Sequence, residues 1–461
     1  MRPGAREDHP GATTLMRCGG CKSVYYCQKQ CQAKNWSVHK SACRKLLAGA
    51  LLLAATATAA AAAPPLFEVA ANVQTRGAAG WDHFVMDGQD YLCCANFFTS
   101  NPRRQASMTT DSTIFKVSQN GDLSLQLTEV QGFKTTGAHG VSHVEAGGYH
   151  YLAVPNYYGG DTVVMRSASG VAPDGQKKPR RFSELQRLPT DGGGGVDVWH
   201  VGPRVFLGVA EFNLGIAAVY ELSATSGLFV PYQRVPAPGC GALATLKVPA
   251  EGGGEQLLLL AASYVTQRTG WRTKSSVFFL NERGTALEMH QEVPTVGAHG
   301  VATLSAGGRH FVFFSNDKDE RTTHQESELF EWVGVFPSGK LESRQKVKTD
   351  GAHAAEFFST AEGGRHFLAV ANLGDRQANT YRRDSLVYEL DAKKTNDGEG
   401  ALLTLVQKVP TLGATDFRAF YINGATYVAV SNEQDDTLGG DVKSTIWRLR
   451  EDENAGGGGE L

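Results

Sequence analysis

The chain has 461 residues, is 41% hydrophobic and 20% charged, and balances 45 Lys and Arg against 47 Asp and Glu. Those values exclude a largely disordered or fibrous chain and leave room for two or three domains. The near-neutral total argues against a nucleic-acid binder but hides an asymmetry. Residues 1–45 hold 9 basic against 2 acidic side chains, and the remainder 36 against 45.

Residues 1–17 contain no cysteine and read as a flexible N-terminus. Five of the eight cysteines then fall in one run, Cys18-x2-Cys21-x5-Cys27-x3-Cys31-x7-His39-x3-Cys43. The other three, Cys93, Cys94 and Cys240, are too sparse for a disulfide framework, so the cluster points to metal. Zinc takes four N or S ligands in a tetrahedron. Gly19-Gly20 lets the backbone bend between the first two sulfurs. Cys27 and Cys31 are four apart, as are His39 and Cys43, so on a helix each pair shares a face. On one continuous helix Cys31 and His39 would sit about 80° apart, which suits two ions better than one. Lys22, Lys29, Lys40 and Arg44 favour thiolates.

Cys18-Gly-Gly-Cys21-Lys22, Tyr26-Cys27, Cys31-Gln32, Trp36, His39-Lys40 and Cys43 together resemble the MYND zinc finger over residues 18–43. That family binds two zinc ions in a crossed arrangement. The resemblance implies one Zn²⁺ held by Cys18, Cys21, His39 and Cys43, with Cys27 and Cys31 forming half of a second site. The family's earlier cysteine pair is missing here, and His9 is the only stand-in, so either the second site is open or lost, or the true N-terminus lies upstream of this start. The zinc is expected to be structural, because nothing near it supplies a catalytic base. MYND fingers generally resemble docking modules for proline-containing peptides, which makes such a peptide the expected partner. The basic charge of this segment reads as a solvated face, with no specific nucleic acid implied.

Leu46–Ala63 is an uncharged run of 10 Ala, 5 Leu, 2 Thr and 1 Gly, ended by Pro64-Pro65. As a helix it would span about 27 Å, near a bilayer core. Alanine contributes little to insertion, so an Ala/Leu-rich helical linker is the expectation and a membrane anchor the alternative, with Arg44 and Lys45 on the cytosolic side. Residues 66–461 lack any Asn-x-Ser/Thr sequon, and their three cysteines read as reduced thiols. A cytoplasmic location is therefore favoured, with a single-pass membrane protein as the alternative.

Residues 66–450 are a repeat. A Gly-Ala step recurs at Gly77, Gly137, Gly241, Gly297, Gly351 and Gly413, with Gly195-Val196 filling the gap, at a mean spacing of 56 residues. Each unit opens with a strand ending near a Gln and a Thr, as in Phe182–Thr190, Leu287–Thr295, Leu341–Thr349 and Thr404–Thr411. A second strand follows the Gly-Ala step. A third is strongly apolar, as in Tyr91–Asn96, Phe311–Asn316 and Tyr427–Asn432, and a fourth closes the unit, as in Ser112–Val117 and Ser444–Leu449. Four short β-branched and aromatic strands make an antiparallel meander; one such sheet cannot bury both faces, seven arranged radially can, and a solenoid is the weaker alternative. The expected fold is mostly β: a seven-bladed β-propeller of four-stranded antiparallel blades, preceded by a small zinc-finger domain and an Ala-rich helix. Residues 451–461, with Gly456–Gly459, read as a flexible tail.

The repeat resembles the EAR (epitempin) propeller. That resemblance implies a protein-binding platform, not an enzyme. It also implies a usually extracellular location, against the thiol and sequon argument. Histidine recurs with the repeat. His139, His299 and His353 follow Gly-Ala, and His150, His310 and His366 follow the glycine turn. Such a ring could hold a metal or ligand; packing and turn roles are the commoner use of repeat-equivalent positions. Asp317, Asp319, Asp375, Asp435 and Asp436 follow third strands and could hold Ca²⁺, the alternative being solvated loops. No catalytic motif is evident, and a propeller enzyme acting through channel-end loops is the least favoured reading. The sequence thus describes a zinc-binding, non-enzymatic interaction protein. Its rival is a membrane-anchored, receptor-like protein with a cytosolic finger and an extracellular propeller.

Overall fold

The computed structural model describes strands Met16–Arg17 and Tyr25–Tyr26, and residues 65–450 apart from 101–105, 168–179, 282, 376–377, 379 and 395–399. The chain divides into two compact units, Met1–Pro64 and Pro65–Leu461. In the first, Met16 pairs with Tyr26 and Arg17 with Tyr25 in an antiparallel ladder. The expected helix over 46–63 and the tail over 451–461 lie outside the described residues. Among the described residues no helix is long and apolar enough to cross a membrane.

The described residues of the second unit form seven four-stranded antiparallel sheets and one two-stranded ladder of Thr99–Ser100 with Ala106–Ser107. Their innermost strands are Ala78–Met86, Ser142–Ala146, Gly193–Val201, Cys240–Pro249, Ala298–Ala306, Ala352–Ser359 and Ala414–Ile422, which number the blades one to seven. Seven apolar clusters hold the ring together, each between two neighbouring blades. The second strand of each blade explains its near-continuous apolar sequence. In Arg309–Asn316, Phe311 and Phe313 face the sixth blade while Val312 and Phe314 face the fourth. All four are fully buried.

The sequence repeat is out of phase with the blades by one strand. Phe182–Pro189, read above as opening a unit, pairs with Asp161–Ser167 and is the outermost strand of the preceding blade. The same offset closes the ring. Phe67–Gln74, the first strand of the first unit, pairs with Lys443–Leu449 and completes the seventh blade. A chain whose units each straddle two blades cannot finish one blade without the next, so the ends must meet.

The recurring Gln and Thr have separate structural duties. Thr349 Oγ1 lies 2.9 Å from Ser327 Oγ, which accepts from Asn316 N at 3.0 Å; Asn316 Nδ2 donates to Glu326 O at 2.7 Å. The same Thr–Ser–Asn chain recurs at Thr411, Ser385 and Asn372 and at Thr75, Ser444 and Asn432. It satisfies main-chain groups where the second strand ends inside the ring. In the third blade Glu211 replaces Asn, accepting from Asp191 N and Arg234.

Candidate functional site

The innermost strands surround a channel of about 330 Å³. Each is preceded by a glycine of positive φ, between 57° and 71°: Gly77, Gly137, Gly192, Gly239, Gly297, Gly351 and Gly413, those of the third and fourth blades being Gly192 and Gly239 and not the expected Gly195 and Gly241. Glycine is required. A Cβ on Gly297 would collide with the Lys318 carbonyl, and one on Gly239 would lie 2.5 Å from Val265 O. One residue further on the ladder skips, for example between Ala78 and Gly80, Ala298 and Gly300, or Ala352 and Ala354. A glycine in the left-handed region followed by a skip is a β-bulge, and a bulge re-aims the extra side chain. The skipped positions in blade order are Ala79, His139, Gly194, Gly241, His299, His353 and Thr415, and all line one mouth of the channel or the pocket beside it.

Three of the seven are histidines, and the ring brings them together. Their ligand atoms lie within 4.8 Å of one another. Ring centroids are 3.6 Å apart for His299 and His353, 5.5 Å for His139 and His299, and 5.6 Å for His139 and His353. His353 is buried, and its Nδ1 donates to Thr415 O at 2.8 Å. The second histidine set does not join them. His310 Nδ1 bonds Ser305 Oγ at 2.8 Å, His366 Nδ1 bonds Ser359 Oγ at 2.7 Å, and His150 Nδ1 meets His143 Nε2 at 3.0 Å, each within its own hairpin.

A feature the sequence reading missed borders the same mouth. The residue after each second strand donates its N–H to the carbonyl of the positive-φ glycine, as Phe97 does to Gly77 and Tyr157 to Gly137. In blades one to four that residue is Phe97, Tyr157, Phe212 or Tyr264, forming an arc with successive centroids 6.2–6.5 Å apart. In blades five to seven it is Asp317, Leu373 or Glu433. The signal was in the sequence, one residue beyond each Asn or its replacement, but only the fold sets the four rings side by side. They surround a pocket of about 150 Å³ whose walls include His139 and His299.

Deeper in the channel lie Asp197, Glu356, Asp416 and Arg418. Arg418 pairs with Asp82 and lies 3.9 Å from Glu356. Burial lifts the Asp197 carboxyl to about 7, Glu356 to about 6 and Asp416 to about 8. Asp82 and its neighbours raise the already basic Arg418 further. At the far side His143 stacks on Phe84, and burial lowers its pKa to about 4.

The loop acids do not converge among the described residues. Asp435 is held by Arg382 and Thr437, Asp317 by Tyr264 Oη at 2.8 Å, and Asp319 caps a turn at Arg321 N and Thr322 N. Asp319 bonds within its own loop, whereas Asp317 and Asp435 bond residues of the neighbouring blades, and no carboxylate cluster able to share a Ca²⁺ forms among the described residues. Cys93, Cys94 and Cys240 are free, buried thiols. The expected zinc ligands Cys18, Cys21, Cys27, Cys31, His39 and Cys43 lie outside the described residues. The ladder of Met16–Arg17 with Tyr25–Tyr26 brackets the segment holding Cys18 and Cys21.

Two family models match stretches of this chain. The MYND finger model matches residues 6–43, and the EPTP domain model matches residues 66–116. The human thrombospondin-type laminin G domain and EAR repeat-containing protein is 27% identical over 297 residues, covering 63% of this chain and 42% of that protein. This chain therefore spans about two fifths of the length of the relatives it matches there. A SET and MYND domain-containing protein of Dictyostelium discoideum is 54% identical over 33 residues, 7% of this chain and 6% of that one. A solved protein from Lactobacillus plantarum superimposes with a TM-score of 0.50 at 16% identity, covering 79% of this chain and 100% of that one, which shows the fold alone. The chain carries a MYND-type zinc finger followed by an EAR-repeat propeller of seven blades.

Proposed function

We propose that this chain is a zinc-dependent, non-enzymatic interaction protein. The finger, held by zinc on Cys18, Cys21, His39 and Cys43, docks a proline-containing peptide, and the propeller offers a second surface. The observation that carries the propeller half is the arc of Phe97, Tyr157, Phe212 and Tyr264. Half-buried aromatics round a pocket are what protein-recognition surfaces use as anchors. The finger half rests on the MYND match and on a donor set of soft sulfur and imidazole. A cytoplasmic site of action fits the three unpaired, buried cysteines and the absence of sequons from residues 66–461.

The test is a proline-containing peptide array probed with the zinc-loaded full-length chain. Binding should disappear in Cys21→Ser and persist in Phe212→Ala. Peptides bound equally by Cys21→Ser would remove the finger from the docking role. The apolar run Leu46–Ala63 supports a second reading, a membrane-anchored chain. Recovery of intact chain in the soluble fraction after lysis without detergent would dispose of it.

A further inference from the structure

We infer that His139, His299 and His353 form a second metal site, in the propeller and separate from the finger, for a divalent transition ion of the zinc class. Four observations meet there. The bulge that opens each innermost strand turns one position per blade toward the same mouth, and imidazole occupies three of those seven places. His299 and His353 come from the adjacent blades five and six, and His139 from blade two, 160 and 214 positions before them, so the closed ring is what brings His139 to the other two. Their ligand atoms lie within 4.8 Å. Two imidazole nitrogens on one zinc sit about 3.4 Å apart, given Zn–N bonds of about 2.0–2.1 Å, so small side-chain rotations close the site.

The tautomer is already set at one ligand. A carbonyl oxygen only accepts, so His353 Nδ1 carries the proton it gives to Thr415 O, and Nε2 carries the lone pair. An outer carbonyl on the second ring nitrogen is the usual partner of a metal-bound histidine. The surroundings complete the pattern. Tyr264 packs edge-on to His299 at 4.9 Å and Phe97 edge-on to His139 at 5.7 Å, giving the site an apolar rim. Gly194 and Gly241 fill the intervening places without a side chain, which leaves the aromatic pocket open toward a fourth coordination position. Three imidazoles suit zinc, copper or nickel and do not suit calcium or magnesium, which require oxygen ligands.

The full-length chain, stripped of metal under reducing conditions and titrated with Co²⁺, distinguishes this site from the finger. Cobalt on thiolates gives sulfur-to-metal charge-transfer bands in the near ultraviolet, and cobalt on imidazoles alone gives visible bands without them. One equivalent should bind without charge transfer. It should vanish in His299→Ala and His353→Ala and survive in Cys21→Ala, which disturbs the charge-transfer bands. His299→Gln, close to histidine in volume, must also lose the equivalent while keeping the wild-type circular dichroism. If all bound cobalt shows charge transfer, or if natively folded His299→Gln binds as much as wild type, the channel site does not exist.

Discussion

Gln131 and Phe182 clamp the first blade to the second: Gln131 Nε2 donates to Phe182 O at 2.7 Å, and its Oε1 accepts from Phe182 N at 3.0 Å. The same two-way bond joins Gln186 to Phe229, Gln233 to Leu287, Gln291 to Leu341 and Gln345 to Leu403. At the ring closure, Gln407 Oε1 accepts from Phe67 N at 2.9 Å. A primary amide is needed, because it alone among side chains of this length offers one donor and one acceptor side by side. Gln291→Leu should destabilise the propeller by about 1–3 kcal/mol in urea unfolding, since it strands a half-buried main-chain pair. Gln291→Glu should recover part of that loss. Equal stability of Gln291→Leu and wild type would make the clamp incidental.

The positive-φ glycines divide into two kinds. Gly297 has φ of 57° and no room for a Cβ, whereas Gly88 has φ of 74° and nothing within 4 Å. Gly88→Ala should cost about 1 kcal/mol from backbone strain alone. Gly297→Ala should cost distinctly more, because the Lys318 carbonyl must move and the bulge that aims His299 moves with it. Thermal unfolding of the two variants side by side decides the point.

The channel carboxyls set the sign of the pH dependence. Asp197, Glu356 and Asp416 titrate at about 7, 6 and 8 in the folded chain, above their unfolded values of about 4. The folded state therefore binds their protons more tightly. Their contribution is complete below about pH 4 and is lost as pH climbs through 6 to 8. The thermal midpoint should fall between pH 5 and pH 9, and Asp416→Asn should flatten that fall. Asp435 has the opposite sign: Arg382, Thr437 and turn amides hold its carboxyl far below the usual range, so its contribution is lost in acid.

Thiol chemistry separates the two units. Burial pushes Cys93 and Cys94 upward and Cys240 to about 12. Those three should resist alkylation at pH 8 until the propeller unfolds. The finger cysteines should react as soon as a chelator removes zinc. Rapid labelling of Cys93 or Cys94 in the native chain would contradict the packing of the first blade.

In a chain carrying His299→Ala, mass spectrometry should count one firmly held zinc, and adding His39→Ala should release it. Two retained ions would show that the second finger site is complete and that His9 takes part.

The strand count, the seven units and the finger spacing were readable in the residues because their signals are local. Alternation, turn glycines and short ligand spacings act within a few residues. The recurring Gln and Thr were visible as a pattern, but their partners were not. Gln345 meets Leu403 across a blade boundary, 58 residues away. The histidines were legible as a periodic set of six, and only three of them meet. The sequence already divides them into a set after Gly-Ala and a set after the glycine turn, but only the fold shows that the first set, with His299 on a bulge, meets, while His310 of the second is tied to Ser305 in its hairpin.

By itself the amino-acid order determined a basic, metal-binding head and seven β meanders with glycine at most of the places where the chain turns left-handed. The closed ring decided the rest: which strand completes which blade, the arc from Phe97 to Tyr264, and the meeting of His139 with His299 and His353. Those are contacts between separate units, set by how the blades pack around one axis, which the pairing of Phe67–Gln74 with Lys443–Leu449 closes.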